Sequence, residues 1–221
     1  MDLPQIESFL DSPNPQSRMK AITELRHHEP ATVVPLLKRR IHDKQFLVRS
    51  FVAMGLGYKR NDEAFEALLN IIEHETDPNV IAEAANSLSK FGPQSIPYLV
   101  TLFEQNPHWL IRQSIFATFE DLADPDALLK LCRLGFDGDD VTVKLAAIAN
   151  LIRLKQTPKS PEALEIALQA AADNNGLVRA RAARTLRYLG GPEAQALLVK
   201  LQQDSDYRVV SAVLEGLLIG D

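Results

Sequence analysis

At 221 residues, with 46% apolar and 24% charged side chains and a net charge of −5, the chain has the balance of a folded protein, which excludes the disordered classes. The negative balance argues against general binding to a nucleic-acid backbone, and no apolar run reaches the ~18 residues of a membrane span. The N-terminus, MDLPQIESFLD, is acidic and amphipathic and does not read as a signal peptide, while one cysteine, Cys132, excludes an internal disulfide and fits a reducing, cytoplasmic setting.

The pattern predicts seven pairs of antiparallel helices. The first pair is Leu3–Asp11 and Pro15 to about His27, with Gln5, Glu7, Ser8 and Asp11 as a polar outer face. In the second, Thr32–His42 carries Pro35, which lacks an N–H and should bend the helix or lie near its start. The stretch DKQFLVRSFVAMGLG, residues 43–57, leads into and forms its partner. The third pair is Glu63–His74 and Asn79–Phe91, closed by Gly92-Pro93, a left-handed cap followed by a residue that cannot continue a helix. The fourth, Gln94–Glu104 and Trp109–Leu122, has Pro97 in its first helix. The fifth, Pro125–Phe136 and Val141–Leu154, is followed by the long connection 155–161. The sixth is Pro161–Ala172 and Leu177–Leu189, and the seventh Pro192–Gln203 and Arg208–Ile219. Repeat boundaries fall at about 2–28, 29–60, 61–92, 93–123, 124–158, 159–190 and 191–221, all in a single domain, 1–221.

Columns in the second helices make the repeat concrete. With Arg49 as marker, the frame recurs at Arg18, Ile81, Arg112, Lys144, Arg179 and Val210, in steps of 31, 32, 31, 32, 35 and 31 residues. One residue before the marker stand Ser17, Val48, Val80, Ile111, Val143, Val178 and Val209. Three after it come Ala21, Val52, Ala84, Ile115, Ala147, Ala182 and Val213. Seven after it come Leu25, Leu56, Leu88, Phe119, Leu151, Leu186 and Leu217. Offsets −1, +3, +4 and +7 share one helix face, so each second helix should bury one stripe. Six before the marker, Ser12, Asp43, Glu75, Asn106, Gly138, Asp173 and Asp204 read as acceptors for free N–H groups at a helix start.

The stretches FLVRSFVAMGLG, NVIAEAANSL, WLIRQSIFATF, LVRARAARTLRYLG and YRVVSAVLEGL, with proline-bearing first helices such as IPYLVTLF, resemble HEAT-like repeats of the phycobilisome-lyase type. The resemblance covers nearly the whole chain and has a cyanobacterial look. It implies an all-α fold, a right-handed α-solenoid of about seven helical hairpins, with second helices on the concave side. Proteins of this look include lyase subunits that attach linear tetrapyrroles to cysteines of phycobiliproteins, factors of phycobilisome turnover, and scaffolds for partners such as iron–sulfur assembly factors. No fixed catalytic motif comes with the family. The marker arginine is missing at Ile81 and Val210, so an Asp–Arg ladder would be broken there.

If second helices face the groove, offsets +2, +5 and +9 point into it. In the second repeat these are Phe51, Met54 and Tyr58, which read as an apolar contact patch or as packing against neighbours under local twist. In the sixth they are Arg181, Arg184 and Tyr188, with Arg153 from the fifth. These suit carboxylates or phosphates, or an acidic partner helix, and equally a solvated face paired to nearby acids. Glu83 and Glu215 make the groove mixed in sign. Five histidines give no metal set: His27 and His28 are adjacent, and His42 and His74 share a column on stacked helices too far apart to bridge unaided. Cys132, between leucines, reads as a small core residue. Phe46, Trp109 and Tyr207 read as plugs between units, with a rim contact of Trp109 and His108 as the alternative. No phosphate-cradling, dinucleotide or nucleophile-elbow motif is present.

Two functions follow. The first is a non-enzymatic protein-binding scaffold or adaptor that needs no cofactor and holds another protein in the groove, a phycobiliprotein or other photosynthetic client being the kind implied by the resemblance. The second is a phycocyanobilin lyase subunit or bilin-handling factor, with bilin as its ligand. The last repeat shows Val213, Leu217 and Leu218 without polar cover, where a partner docks, the end frays, or the helix is tolerated as it stands.

Overall fold

The computed structural model describes residues 1–218, with side chains through Glu215. Among these, fourteen α-helices and no strand occur. The helices fall into two compact units, Met1–Leu122 and Ala123–Asp221. The first holds α1 (Leu3–Leu10), α2 (Pro15–Glu24), α3 (Pro30–Lys38), α4 (Phe46–Lys59), α5 (Asp62–His74), α6 (Pro78–Ser89), α7 (Ile96–Gln105) and α8 (Trp109–Leu122). The second holds α9 (Pro125–Asp137), α10 (Val141–Asn150), α11 (Ser160–Ala170), α12 (Gly176–Leu189), α13 (Pro192–Leu201) and α14 (Tyr207–Leu218). Odd-numbered helices are the first and even-numbered the second of each hairpin, so the chain is an all-α solenoid of seven hairpins.

Local chemistry explains where the helices start. Proline occupies the first turn of α1, α2, α3, α6, α7, α9, α11 and α13, where its missing N–H would be unpaired anyway. Side chains of Asp2, Asn14, Asn61, Asp77, Asp124, Asp140 and Asn175 accept the first free N–H groups. The expected end at His42 is corrected to Lys38. Pro35 withdraws one donor from α3, and single-turn bonds from Arg40, Ile41 and Asp43 close the segment. The second helices of the first and fifth hairpins end as 3-10 turns, Leu25–His27 and Leu151–Leu154.

The predicted columns form the core. Val48, Val80, Ile111, Val143, Val178 and Val209 are buried, as are Ala21, Val52, Ala84, Ile115, Ala147, Ala182 and Val213. So are Leu25, Leu56, Leu88, Phe119, Leu151 and Leu186. Within each unit consecutive second helices pack along their lengths, whereas consecutive first helices barely touch. Gly57 permits one such approach, since a Cβ there would stand 2.6 Å from the Ser87 Cβ.

The column six before the marker does more than cap. The helix N-cap lies two residues later, at Asn14, Asp77, Asp140 and Asn175. The earlier residue takes the next N–H in that turn, as in Asp43 Oδ1 from Gln45 N at 3.0 Å and Asp173 Oδ1 from Asn175 N at 2.7 Å. It also receives the marker cation of the preceding hairpin. Arg18 meets Asp43, Arg49 meets Glu75, Lys144 meets Asp173 and Arg179 meets Asp204. Where Asn106 or Gly138 stands in place of the acid, neither can pair with a cation as a carboxylate does, and Arg112 donates to the carbonyls of Phe103 and Asn106.

A second correction concerns the aromatics three before the marker. Phe46, Trp109 and Tyr207 are exposed rather than plugs, each standing as the first residue of its helix. Trp109 stacks on His108 with ring centroids 6.1 Å apart. Val213, expected at an uncovered end, is only 6% exposed because offset +3 faces the core. The Leu217 and Leu218 side chains lie outside the described residues. No described helix is long and apolar enough to cross a membrane.

Candidate functional site

In the first unit, close packing of the second helices leaves the residues at offsets +2, +5 and +9 half-buried or exposed. In the first unit Phe51 and Met54 are half-buried there, and Tyr58 is 61% exposed. The Lys90 ammonium stands 4.5 Å over the Tyr58 ring, so the tyrosine keeps one polar neighbour on an otherwise apolar patch.

The structure brings Met54 and Tyr58 into the wall of a pocket of about 660 Å³ between α2, α3 and α4, and leaves Phe51 outside that wall. Ile22, Leu25, Val33 and Leu37 give it apolar sides, with Gly55 between them. Thr23, Arg26, His27 and Lys59 complete the lining. The Lys59 ammonium donates to the Arg26 carbonyl at 2.9 Å and to the His28 carbonyl at 2.5 Å, tying the 3-10 turn to the end of α4. Burial holds that ammonium below the ordinary lysine value, with Glu29 pulling the other way. Arg26 Nε donates to His27 Nε2 at 2.9 Å. Sequence reasoning found two of these residues and missed the rest. The signal was in the column at +6, where Gly55 takes the place of Ser87, Thr118 and Thr185.

A second, polar hollow of about 490 Å³ lies across α4, α6 and α8, lined by Ser50, Asn79, Glu83, Asn86, Gln113 and Ser114 among others. Burial pushes the Glu83 carboxyl up, offset by Lys90 and a hydrogen bond from Asn86. His42 and His74 do share a small hollow of about 220 Å³, with Asp43, Arg49 and Glu75, but the two carboxylates there are bonded to arginines. Among the described residues no three His, Cys, Asp or Glu side chains are grouped as a metal ion would need.

In the second unit the arginines have different fates. Arg184 forms a two-pronged pair with Glu215, both bonds 2.9 Å, so its fork is already occupied. Arg181, half-buried, makes no ion pair among the described residues. Arg153 Nη1 reaches Asn150 Oδ1 at 3.3 Å. Tyr188 is 55% exposed beneath the Lys155 ammonium, 4.9 Å from its ring centre, and its carbonyl accepts from the same ammonium at 2.6 Å. Cys132 is fully buried, and burial pushes its thiol far above the ordinary value, which suits packing and not nucleophilic attack.

A sequence profile described as HEAT repeats matches residues 45–120, 65–152 and 125–218. No curated protein sequence matches the chain. Among solved structures, the chain is similar to the CpcE–CpcF complex of phycocyanin lyase from Nostoc sp. PCC7120. The TM-score is 0.54 at 21% identity, covering 99% of this chain and 88% of that one. It is also similar to YibA of Escherichia coli, with a TM-score of 0.64 at 17% identity, covering 99% of this chain and 84% of that one. At such identities the likeness is one of fold.

Proposed function

The chain belongs to the HEAT-repeat family, and from that premise we propose that it is a non-enzymatic scaffold or adaptor holding another protein against its second helices. One observation carries the reading: Phe51 and Met54, half-buried, and Tyr58, exposed, stand together on a helix face that the stack leaves partly open. Aromatic side chains with an apolar neighbour are where binding energy concentrates in protein contacts. In the second unit, Arg181 is assigned the first polar contact, with Arg153 and Tyr188. Arg184 joins only by exchanging Glu215 for an acid of the partner. A photosynthetic client such as a phycobiliprotein, met in the cytoplasm, is the partner this reading favours.

The second reading, a subunit that handles phycocyanobilin, rests on the likeness to the phycocyanin lyase complex. Here Arg153 and Arg181 would receive the propionates, and the reacting thiol would belong to the client protein.

The deciding experiment is affinity capture from the native host, read by mass spectrometry, with wild type, Phe51→Ala and Tyr58→Ala. The scaffold reading expects a partner retained by wild type and lost by both variants, with the Tyr58→Ala thermal midpoint unchanged. Capture indifferent to both substitutions would end it. Visible absorbance of the purified chain with micromolar phycocyanobilin tests the second reading, and no shift counts against that one.

A further inference from the structure

The pocket between α2, α3 and α4 has two local causes. Gly55 stands where a Cβ would come 3.0 Å from Leu37 Cδ1 and 3.6 Å from Ile22 Cγ2, so no α4 side chain fills the space over these two buried residues. The second cause is that α2 stops at Glu24. The 3-10 turn that follows buries Leu25 and leaves Arg26 and His27 exposed at the mouth. Because Lys59 fastens this turn to α4 through two carbonyls, the wall is held in place.

Size and charge then limit the occupant. At about 660 Å³ the space exceeds one inserted side chain and falls in the ~300–1,000 Å³ range of small-molecule sites. Its lining holds Arg26, His27 and Lys59 and no carboxylate, a local reversal on a chain of net charge −5. The nearest acid in sequence, Glu24, is held by the N-terminal ammonium at 3.2 Å.

We propose that this pocket binds a small anionic amphiphile, a free fatty-acid-like carboxylate whose tail lies on Met54, Gly55 and the Tyr58 ring and whose head meets Arg26. The inference shares Met54 and Tyr58 with the docking face but does not rest on it, since ligand binding is read without any partner.

Calorimetric titration of the full chain with decanoate, below its micelle concentration, and with uncharged decanol tests it. The expected result is saturable binding at one site, with decanoate about fivefold to tenfold tighter than decanol. Arg26→Ala, at an exposed residue, removes that advantage and leaves decanol binding unchanged. Thr23→Trp, placed across the mouth, abolishes both. Val199→Ala, a substitution at an exposed apolar residue of the other unit, changes nothing. Absence of saturable binding overturns the proposal. Equal affinity for the acid and the alcohol, or binding indifferent to both Arg26→Ala and Thr23→Trp, also overturns it.

Discussion

Replacing Arg18 by Met tests the ladder at its most buried rung. The Arg18 and Asp43 side chains are 4% and 3% exposed, with Nε 2.7 Å from Oδ2 and Nη2 donating to Oδ1 at 2.8 Å. The same guanidinium donates to the carbonyls of Ser12 at 2.8 Å and Pro13 at 3.1 Å. Removing it leaves a buried carboxylate with the Gln45 N–H, and removal of one partner of such a pair costs about 3–5 kcal/mol. With a urea slope of about 2–3 kcal/mol/M, the unfolding midpoint should fall by about 1–2 M at pH 7. Arg18→Met with Asp43→Asn should recover more than half of the loss, since no unpaired charge remains. Burial alone would raise the Asp43 carboxyl, yet Arg18 and the Gln45 N–H hold it below the ordinary value. A depressed carboxylate stabilises the fold above its unfolded pKa of about 3.9, and that contribution fades as pH falls through the folded value. The gap between wild type and Arg18→Met should therefore narrow below about pH 4. A single substitution costing under about 1 kcal/mol, or a double variant no better than the single, refutes the reasoning.

The other predictions concern packing, charge and the thiol. Gly57→Ala should destabilise the fold by about 1–3 kcal/mol, seen as a lower thermal midpoint, despite alanine's better helix propensity, because its Cβ meets Ser87 on α6. Glu83→Gln should raise the midpoint at pH 7. Burial raises the Glu83 carboxyl, so the charged form costs stability as pH rises through its folded pKa, and the gain should vanish at pH 3–4, a range taken from the ordinary carboxylate value of about 4.3. Cys132 should resist a thiol-specific reagent in native buffer and react only as fast as its unit opens, which prompt labelling would contradict.

The core was readable because stacking imposes the same demand on every hairpin. Val48, Val52 and Leu56 repeat in column after column, and period alone identifies the buried stripe. The ladder was half readable. Asp43 and Arg18 were visible as members of two columns, but nothing local says that an acid in one turn belongs to a cation 25 residues earlier. Only the lateral offset of stacked hairpins brings them together. Phe46, Trp109 and Tyr207 misled because their size suggests burial, whereas each is the very first residue of its helix and stands exposed there. The pocket was hidden for the opposite reason. It is made by something missing, the side chain of Gly55, and by the early end of α2, which Leu25-Arg26-His27 does not announce.

These differences separate what the repeat needs from what it leaves over. Offsets −1, +3 and +7 are committed to the core, and the marker cation with the acid of the next turn joins neighbouring hairpins. A change at any of these is felt as stability. In the first unit, offsets +2, +5 and +9 are never fully buried, so their chemistry varies: Phe51, Met54 and Tyr58 in one hairpin, Ser114, Ala117 and Asp121 in another. A fold that demanded large apolar groups at these positions would not accept the second set. The aromatic patch is therefore not a requirement of the repeat, which is why the proposed docking face is placed there. Arg184 marks the limit of that logic, because Glu215 of the next hairpin already satisfies its guanidinium. The same offset carries a half-buried methionine in one hairpin and an internal tie in another, and the neighbour's residue decides which.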